Sequence, residues 1–266
     1  TNLGGCDTKA TLNVTNGTLT NAAAATIRSS FGNGGGRLLN ASIENLGTID
    51  IDHSLTIGNS ASVFRGVQGT FDVVSGATLT ISGGSSELGA GTLFLGAGTV
   101  DLAGTHTLNL PSDLTLPSGG ATLGMSGSVT VNGPGMLINR GSLGLSDDTI
   151  HAALDNQGTL VVQNTATVNG QLTTTPASTI RVQSGACFHS TLTVTQGFTN
   201  QGLIDLTNLG GCDTKATLNV TNGMLTNTAA ATIRSSSGNG GGRVVNATVD
   251  NQGTISVLQP LNMAGS

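Results

Sequence analysis

The sequence predicts an all-β protein, a parallel β-helix (β-solenoid) of about ten coils of ~26 residues each. Three observations predict it: a 49-residue segment that occurs twice, short strand motifs that recur along the chain, and a regular offset between those motifs. The 266 residues include no Trp and no Tyr, and only 9% are charged. A wide globular core would be hard to fill without large aromatic side chains, whereas a narrow core of stacked aliphatic side chains does not need them.

The longest repeat spans residues 1–49 and returns at 207–255, a period of 206 residues, with nine substitutions. Five of the nine substitutions preserve the class of the residue: aliphatic for aliphatic, acidic for acidic or small polar for small polar. We interpret the copies as one two-coil element used twice within a single β-solenoid over residues 1–266. Either the parent protein is a tandem array of such blocks, or the 49-residue unit was duplicated alone.

Two short motifs supply the strands. The first has the form Ala-Thr-(Leu/Ile)-x-aliphatic and occurs, for example, at 10–14, 77–81 and 216–220. The second contains Asn-x-Gly before a strand, and we expect its Gly to permit the positive φ of a turn and its Asn to bond neighbouring backbone. If the copies stack, the asparagines at the head of this motif form a ladder; they are Asn45, Asn139, Asn156, Asn200 and Asn251.

Spacing sets the expected coil length. Residues 190–200 match 216–227, so that Leu192 corresponds to Leu218 with an offset of 26. Eight coils of this length give about 208 residues, close to the long period of 206. A meander of hairpins has no reason to keep such a spacing, whereas a winding chain does. Coils stacked about 4.8 Å apart would make ten coils a rod of roughly 50 Å.

These motifs resemble the β-strand repeats of large bacterial exported proteins, among them autotransporter passenger domains and filamentous-haemagglutinin-like adhesins. The resemblance covers nearly the whole chain and lies in the Gly-Ala-Thr-Leu-x-(Val/Ile) and Asn-x-Gly-Thr-(Ile/Leu) patterns. It implies a right-handed winding, an extracellular or cell-surface location, and a role as a stalk or adhesin. It brings no catalytic motif that can be transferred to residues of this chain.

Charge and hydropathy argue against several kinds of partner. The net charge is −5, and the nine Lys and Arg are scattered, so no basic patch offers a surface to nucleic acid or to an anionic membrane. No apolar run reaches the ~18–20 residues that would cross a bilayer. Because the chain starts without an initiator Met and stops abruptly, we expect a fragment or a processed piece.

The three cysteines predict one disulfide. Cys187 and Cys212 are 25 residues apart, about one coil, and stacked coils bring Cα atoms to a distance that a disulfide accepts. The alternative is a pair of stacked, buried thiols. Cys6 takes the place of Cys212 in the first copy of the repeat, and we expect it to be unpaired or bonded to another chain. A disulfide would fit an extracellular setting, and the spacing does not fit a zinc site.

Candidate chemical sites are few. Asp50 and Asp52 point to the same side of a strand, which suggests either weak Ca²⁺ binding or a solvated pair. The four histidines share no spacing and are expected at the surface or in turns. The Gly-rich loops at 32–37 and 238–243 lack the Lys-Ser/Thr of a phosphate-binding loop, and we expect them to project as plain turns or as binding loops. Their candidate binding residues are Asn33, Arg37, Asn239 and Arg243.

The expected function is structural: a non-catalytic segment, without a cofactor, of an extracellular filament, stalk or adhesin. Its coils stack, and its ends could join head to tail, so its partners are further copies of itself or the rest of a longer repeat protein. The alternative is an adhesin module that binds a glycan or a host or cell-surface protein. A polysaccharide-active enzyme would need acidic residues clustered in one groove. An ice-binding protein would need aligned Thr-x-Thr pairs, and the pairs at 18–20, 78–80, 105–107 and 191–195 are not all spaced by whole coils.

Overall fold

The fold consists of stacked parallel β-strands. A computed structural model describes most of the chain, and every element of regular secondary structure in the described part is a strand. Internal contacts divide the chain into two units, Thr1–Met136 and Leu137–Ser266, and each unit is a β-solenoid. The predicted all-β parallel β-helix is therefore confirmed. The described residues are 8–32, 34–58, 62–185, 187–238 and 240–265.

Unit 1 contains short strands whose side chains alternate between the core and solvent. In β12, for example, every second side chain is buried in each half of the strand. This alternation, rather than a continuous apolar run, reflects a parallel sheet with one face in water. The described strands are β1 Ala10–Asn21, β2 Thr26–Ser29, β3 Arg37–Asn45, β4 Thr48–Ile51, β5 Leu55–Ile57, β6 Val63–Arg65, β7 Thr70–Val73, β8 Thr78–Glu87, β9 Leu93–Gly96, β10 Thr99–Asn109, β11 Leu114–Leu116 and β12 Thr122–Asn132.

Strands one coil apart in unit 1 pair in parallel and form two sheets around the core. One sheet runs β1–β3–β5/β6–β8–β10–β12, and the other runs β2–β4–β7–β9. Side chains in register form rows along the core. One row contains Phe71 and Phe94, whose ring centroids lie 5.4 Å apart, and Phe64 packs against Phe71 at 5.6 Å. These phenylalanines thicken a core that is otherwise aliphatic.

Unit 2 follows the same plan. Its aliphatic row Leu145, Val162, Val182 and Leu206 is buried. The described strands are β13 Leu137–Asn139, β14 Ser142–Ile150, β15 Leu154–Asn156, β16 Thr159–Val168, β17 Leu172–Thr174, β18 Thr179–Ser184, β19 Ser190–Val194, β20 Phe198–Asn200, β21 Leu203–Asn208, β22 Ala216–Asn227, β23 Thr232–Ser235, β24 Arg243–Asn251, β25 Thr254–Val257 and β26 Leu261–Ala264.

Three ladders of parallel strands form the walls of unit 2. The first ladder is β13–β15–β17. The other two share β14 and β16, because β16 pairs with both β18 and β19. One of them continues as β18–β21–β23–β25 and the other as β19–β22–β24–β26. The strand β20 pairs with the second half of β22. Backbone hydrogen bonds between successive coils therefore hold each coil to its two neighbours.

The length of a coil is not uniform, which corrects the expectation of one constant coil length. Along the β19–β22 ladder, Leu192 pairs with Leu218 and Thr193 with Asn219, a separation of 26 in sequence, as predicted. Along β13–β15, in contrast, Asn139 pairs with Asn156 at a separation of only 17. Inward side chains fix the register of a coil, whereas the loops at its corners can gain or lose residues without disturbing the ladder.

The two copies of the long repeat fold alike, although the first lies in unit 1 and the second in unit 2. In the first copy β1 pairs with β3, with a register shift between Asn13 and Thr18. In the second copy β22 pairs with β24, with the same shift between Asn219 and Met224. The 49-residue sequence thus specifies one local structure twice.

Candidate functional site: the asparagine corner and the charged loops

Asparagine side chains stack at one corner of the coils in each unit. In unit 2, Asn200 Nδ2 donates to Asn227 Oδ1 at 2.8 Å, and Asn227 Nδ2 donates to Asn251 Oδ1 at 2.7 Å. Elsewhere in unit 2, Asn139 Nδ2 donates to Asn156 Oδ1 at 2.8 Å. In every case the donor precedes the acceptor along the chain, so each ladder has a direction.

The first copy of the repeat has the same corner in unit 1. Asn21 Nδ2 donates to Asn45 Oδ1 at 2.7 Å and to the carbonyl oxygen of Thr48 at 3.0 Å. The sequence motif missed Asn21 and Asn227, because neither is followed by x-Gly. The alignment of residues 190–200 with 216–227 could have identified them, because both segments end in an asparagine, Asn200 and Asn227.

The glycine of the Asn-x-Gly motif is required for close packing and not for a turn with positive φ. In Gly47, Gly158, Gly202 and Gly253, φ is not in the left-handed region, contrary to the sequence expectation. Instead, a Cβ atom on any of them would collide with a backbone carbonyl oxygen of the preceding coil. Successive corners approach each other too closely for a side chain.

Removing an asparagine from the middle of a ladder tests its contribution to stability. We expect Asn227→Ala to lower the free energy of unfolding by about 1–3 kcal/mol, because it leaves buried polar atoms of neighbouring coils without that partner. The exposed pair formed by Asn40 Nδ2 and Asn13 Oδ1, 2.7 Å apart, provides the control. Asn40→Ala should change stability by less than ~0.5 kcal/mol in urea unfolding, and equal effects of the two substitutions would contradict a structural ladder.

The arginines of the two Gly-rich loops are buried, which corrects their prediction as binding residues. Arg37 Nη1 donates to the carbonyl oxygens of Gly34, at 2.8 Å, and Gly35. Arg243 is held in the same way by Gly240, at 2.9 Å, and by Gly241. Burial lowers the pKa of the Arg243 guanidinium, partly offset by the charge of Asp205.

Each buried guanidinium organises its own loop and is not presented to a ligand. The other two candidate loop residues, Asn33 and Asn239, lie outside the described residues.

The carboxylates of Asp50 and Asp52 are bound by an arginine, which argues against the predicted weak Ca²⁺ site. Arg28 Nε lies 3.0 Å from Asp50 Oδ2 and 3.0 Å from Asp52 Oδ2. The guanidinium offsets one of the two negative charges and occupies the carboxylate oxygens that a cation would bind. Within the described ranges, no three His, Cys, Asp or Glu side chains come together as metal ligands would.

A second charged cluster surrounds Asp205 in unit 2, and sequence reasoning did not find it. Asp205 accepts from Arg181 Nε and Arg234 Nε, each at 3.2 Å, and from the hydroxyl of Ser236. Burial raises the pKa of Asp205, but the hydrogen bonds from Arg234 and Ser236 and the charges of both arginines outweigh burial and hold it below its usual value. The signal is visible only in register, because Asp205 lies between Arg181 and Arg234 on successive coils.

One histidine is buried, although all four were expected at the surface or in turns. The Nδ1 of His106 lies 2.7 Å from the carbonyl oxygen of Gly83, and its Nε2 lies 2.9 Å from the hydroxyl of Ser86. A carbonyl oxygen only accepts, so Nδ1 carries the proton of a neutral ring and Nε2 accepts from Ser86. The enclosed Ser86 hydroxyl has no access for a substrate, and the pair therefore holds two coils together.

Acidification should destabilise the coil that contains His106. Burial lowers the pKa of His106 below 6.5, partly opposed by its bond to Gly83, so the fold favours the neutral ring. The stabilising contribution is complete above about pH 6.5 and is lost as pH falls through the lower pKa of the folded state. We expect His106→Gln to be less stable than the parent at pH 7.5 and to lose less Tm between pH 7.5 and 4.5. Parallel Tm curves for the two proteins would contradict this role.

The predicted disulfide between Cys187 and Cys212 is confirmed. The bond joins two loops of unit 2 whose Cα atoms lie 5.3 Å apart. Such a bond is typical of proteins outside the reducing cytosol. The third cysteine, Cys6, lies outside the described residues.

Reduction of this disulfide should lower stability by about 2–4 kcal/mol, because it frees a closed loop in the unfolded chain. The measurement is thermal unfolding with and without reductant in a Cys6→Ser background, which leaves one thiol pair. A chain that also carries Cys187→Ser and Cys212→Ser should unfold at the lower temperature in both conditions. If the Tm of the Cys6→Ser chain does not change on addition of reductant, the prediction is contradicted.

Threonines align on one outer face of unit 2, which the offsets in the sequence had not indicated. Thr165 and Thr167 of β16 pair in register with Thr191 and Thr193 of β19, and Thr191 pairs with Thr217 of β22. The pair on β16 was not among the predicted Thr-x-Thr pairs, and coils of unequal length bring it into register with β19. One row of hydroxyl groups, Thr165, Thr191 and Thr217, therefore extends over three successive coils, and a second row, Thr167 and Thr193, extends over two before Asn219 follows.

The described part of the chain contains no helix that could cross a membrane. No family model, no curated protein and no solved structure matches this chain.

Proposed function

We propose that this chain is a non-catalytic structural segment of an extracellular filament, stalk or adhesin. The observation that carries the proposal is the repeat: one 49-residue sequence forms the same strands, the same register and the same asparagine corner in each copy. A sequence that folds alike at two places in the chain is suited to extension by repetition, because each coil contacts only its neighbours.

The placement of the charged groups supports a structural role. The arginines at 28, 181 and 234 bind carboxylates of neighbouring coils, and those at 37 and 243 bind loop backbone. The first three arginines thus join neighbouring coils, and the last two hold the shape of their own loops. The proposed mechanism of the segment is this stacking, with main-chain ladders outside and aliphatic rows inside.

The disulfide and the resemblance to autotransporter passengers and filamentous-haemagglutinin-like adhesins support a location outside the cell or on its surface. The partners on this proposal are further copies of the chain or further segments of a longer repeat protein. No cofactor is required.

A chain lengthened by one period tests this function. Joining residues 1–206 directly to a second copy of residues 1–266 recreates the natural junction at Leu206 and Thr207, because the second copy also begins Thr-Asn-Leu-Gly-Gly. We expect electron microscopy to show a longer particle of unchanged width, and circular dichroism per residue to remain the same.

The matched control joins residues 1–190 to the same second copy, which breaks the coil phase at the junction. This control should aggregate or lose signal per residue. If the in-phase chain behaves like the out-of-phase chain, the segment is not extended by stacking and the proposed function fails.

The aligned threonines favour a second candidate, an ice-binding surface. Outward hydroxyl groups repeat at two-residue steps along β16 and β19 and at coil spacing across them. The measurement is inhibition of ice recrystallisation by the parent chain and by Thr193→Lys, with Thr254→Lys on another wall of the unit as control. Equal inhibition by both variants, or none by the parent, would reject this candidate.

A further inference from the structure

We propose that the first coil of one copy docks on the last coil of a second copy, joining chains head to tail. The head surface is residues 10–29 of β1 and β2, and the tail surface is residues 248–257 of β24 and β25. The inference rests on the proposed structural function and names the two surfaces through which that function would assemble.

The second copy of the repeat shows what covers the head surface. There, residues 190–206 lie on β22 and β23, and Leu218 packs on Leu192 with 0% of its surface exposed. The equivalent Leu12 points into the open end of the core and is 55% exposed. An open cavity of about 220 Å³ lies at this end, lined by Leu12, Ile27, Leu39 and Leu55 among others. The head surface is therefore a copy of a surface that is buried elsewhere in the same chain.

The tail surface resembles the coil that covers the second copy. Its corner, Asn-Gln-Gly at 251–253, repeats the corner at 200–202. Strand pairing places Val257 at the core position that Leu206 occupies two coils earlier. Leu206 is 0% exposed and Val257 is 56% exposed. Both surfaces thus expose aliphatic side chains at equivalent core positions.

The asparagine ladders have complementary ends on the two surfaces. Asn227 Oδ1 accepts from Asn200, but no described residue donates to the equivalent Oδ1 of Asn21. At the other end, Asn251 Nδ2 reaches only the carbonyl oxygen of Gly253 in its own corner, at 3.3 Å, among the residues described. A bond from Asn251 Nδ2 to Asn21 Oδ1 of a second copy would continue the ladder in its existing direction.

The internal interface also gives the register of docking. In it, β20 pairs with the second half of β22, and β21 pairs with β23. By equivalence, residues 19–21 pair with 249–251 of the other copy, and β2 pairs with β25. Arg28 then lies opposite Ser256, and Thr20 opposite Asp250, so no like charges face each other.

The short strand β26 competes with this docking. It pairs with the first half of β24, at the place that residues 10–13 of a second copy would take. Three of its four residues are exposed, so little apolar surface holds it there. We therefore place β26 as a strap that must be displaced before β1 pairs along the whole edge of β24. Because the two surfaces differ, each contact leaves one head and one tail free for a further copy.

Complementation between two blocked variants tests the proposal. Leu12→Asp blocks the head surface and Val257→Asp blocks the tail surface, and both positions are more than half exposed, so we expect each variant to fold. Mass photometry over a concentration series should show oligomers of the parent and monomers of each variant alone. A mixture of the two variants should form a dimer and nothing larger. The intact head of one variant docks on the intact tail of the other, and the two surfaces left free in the dimer are both blocked.

Two further chains complete the experiment. Leu93→Asp, at a side chain that is 53% exposed on a lateral strand, is the matched control and should assemble like the parent. A chain that ends at Val257 lacks β26 and should assemble at lower concentration than the parent. Circular dichroism checks that every variant is folded.

Three results would overturn the docking proposal: assembly of either blocked variant alone, absence of the dimer in the mixture, or monomers at all concentrations for both the parent and the chain that ends at Val257. None of them decides the structural function, which the lengthened chain tests separately through particle length. Failure of the lengthened chain, conversely, would reject the function whatever the parent's oligomeric state.

Discussion

Replacing Leu218 by Ala should lower the free energy of unfolding by about 2–5 kcal/mol, whereas the same change at Leu12 should lower it by less than ~1 kcal/mol. The two leucines lie within the identical sequence Ala-Thr-Leu-Asn-Val. Leu218 is packed between Leu192 and Val245 of the adjoining coils, but Leu12 has a described neighbour, Leu39, on one side only. The difference therefore measures the stacking of one coil on another.

The measurement is urea unfolding followed by circular dichroism at a concentration where the chain is monomeric. If the two units unfold in separate transitions, the transition whose midpoint is shifted by Leu218→Ala is the unfolding of unit 2. Equal losses at both positions would mean that the local sequence, and not the neighbouring coil, determines the contribution of this leucine.

Replacing Gly202 by Ala should destabilise the protein by about 1–3 kcal/mol or more, because the new Cβ has no space. It would overlap the carbonyl oxygens of Thr175 and Ser178 in the preceding coil, and both are backbone atoms that cannot rotate away. Either the corner opens or the strands on both sides shift, and hydrogen bonds between the coils are lost.

Gly211→Ala is the matched control, since a Cβ at that position meets no atom within 4 Å and its φ lies outside the left-handed region. We expect this variant to be neutral or slightly more stable, through the reduced freedom of the unfolded chain. Thermal unfolding of the two variants compares them directly. If Gly202→Ala is as stable as Gly211→Ala, close approach of the corners is not why glycine stands in the motif.

Local sequence reasoning correctly predicted the strands and their stacking, because alternation of apolar and polar residues is a property of neighbouring residues. It identified Asn45, Asn200 and Asn251, which stand in the stacked corners. It assigned the wrong reason to the glycine that follows each of them, since a clash with another coil involves residues that are distant in sequence. The prediction that Arg37 and Arg243 are binding residues was wrong for a related reason. A Gly-rich sequence predicts a loop that projects into solvent, but each guanidinium lies inside its own loop.

By itself, then, the sequence determined the all-β solenoid, the equivalence of the two repeat copies and the separation of Cys187 and Cys212 by about one coil, whereas the bond between them came from the structure. Each of these follows from identity or spacing within the chain. Only the tertiary structure decided the varying length of the coils, the ion pairs of Arg28 with Asp50 and Asp52, and the burial of His106. These depend on which side chains come into register between coils, and loops of unequal length hide that register from any fixed period.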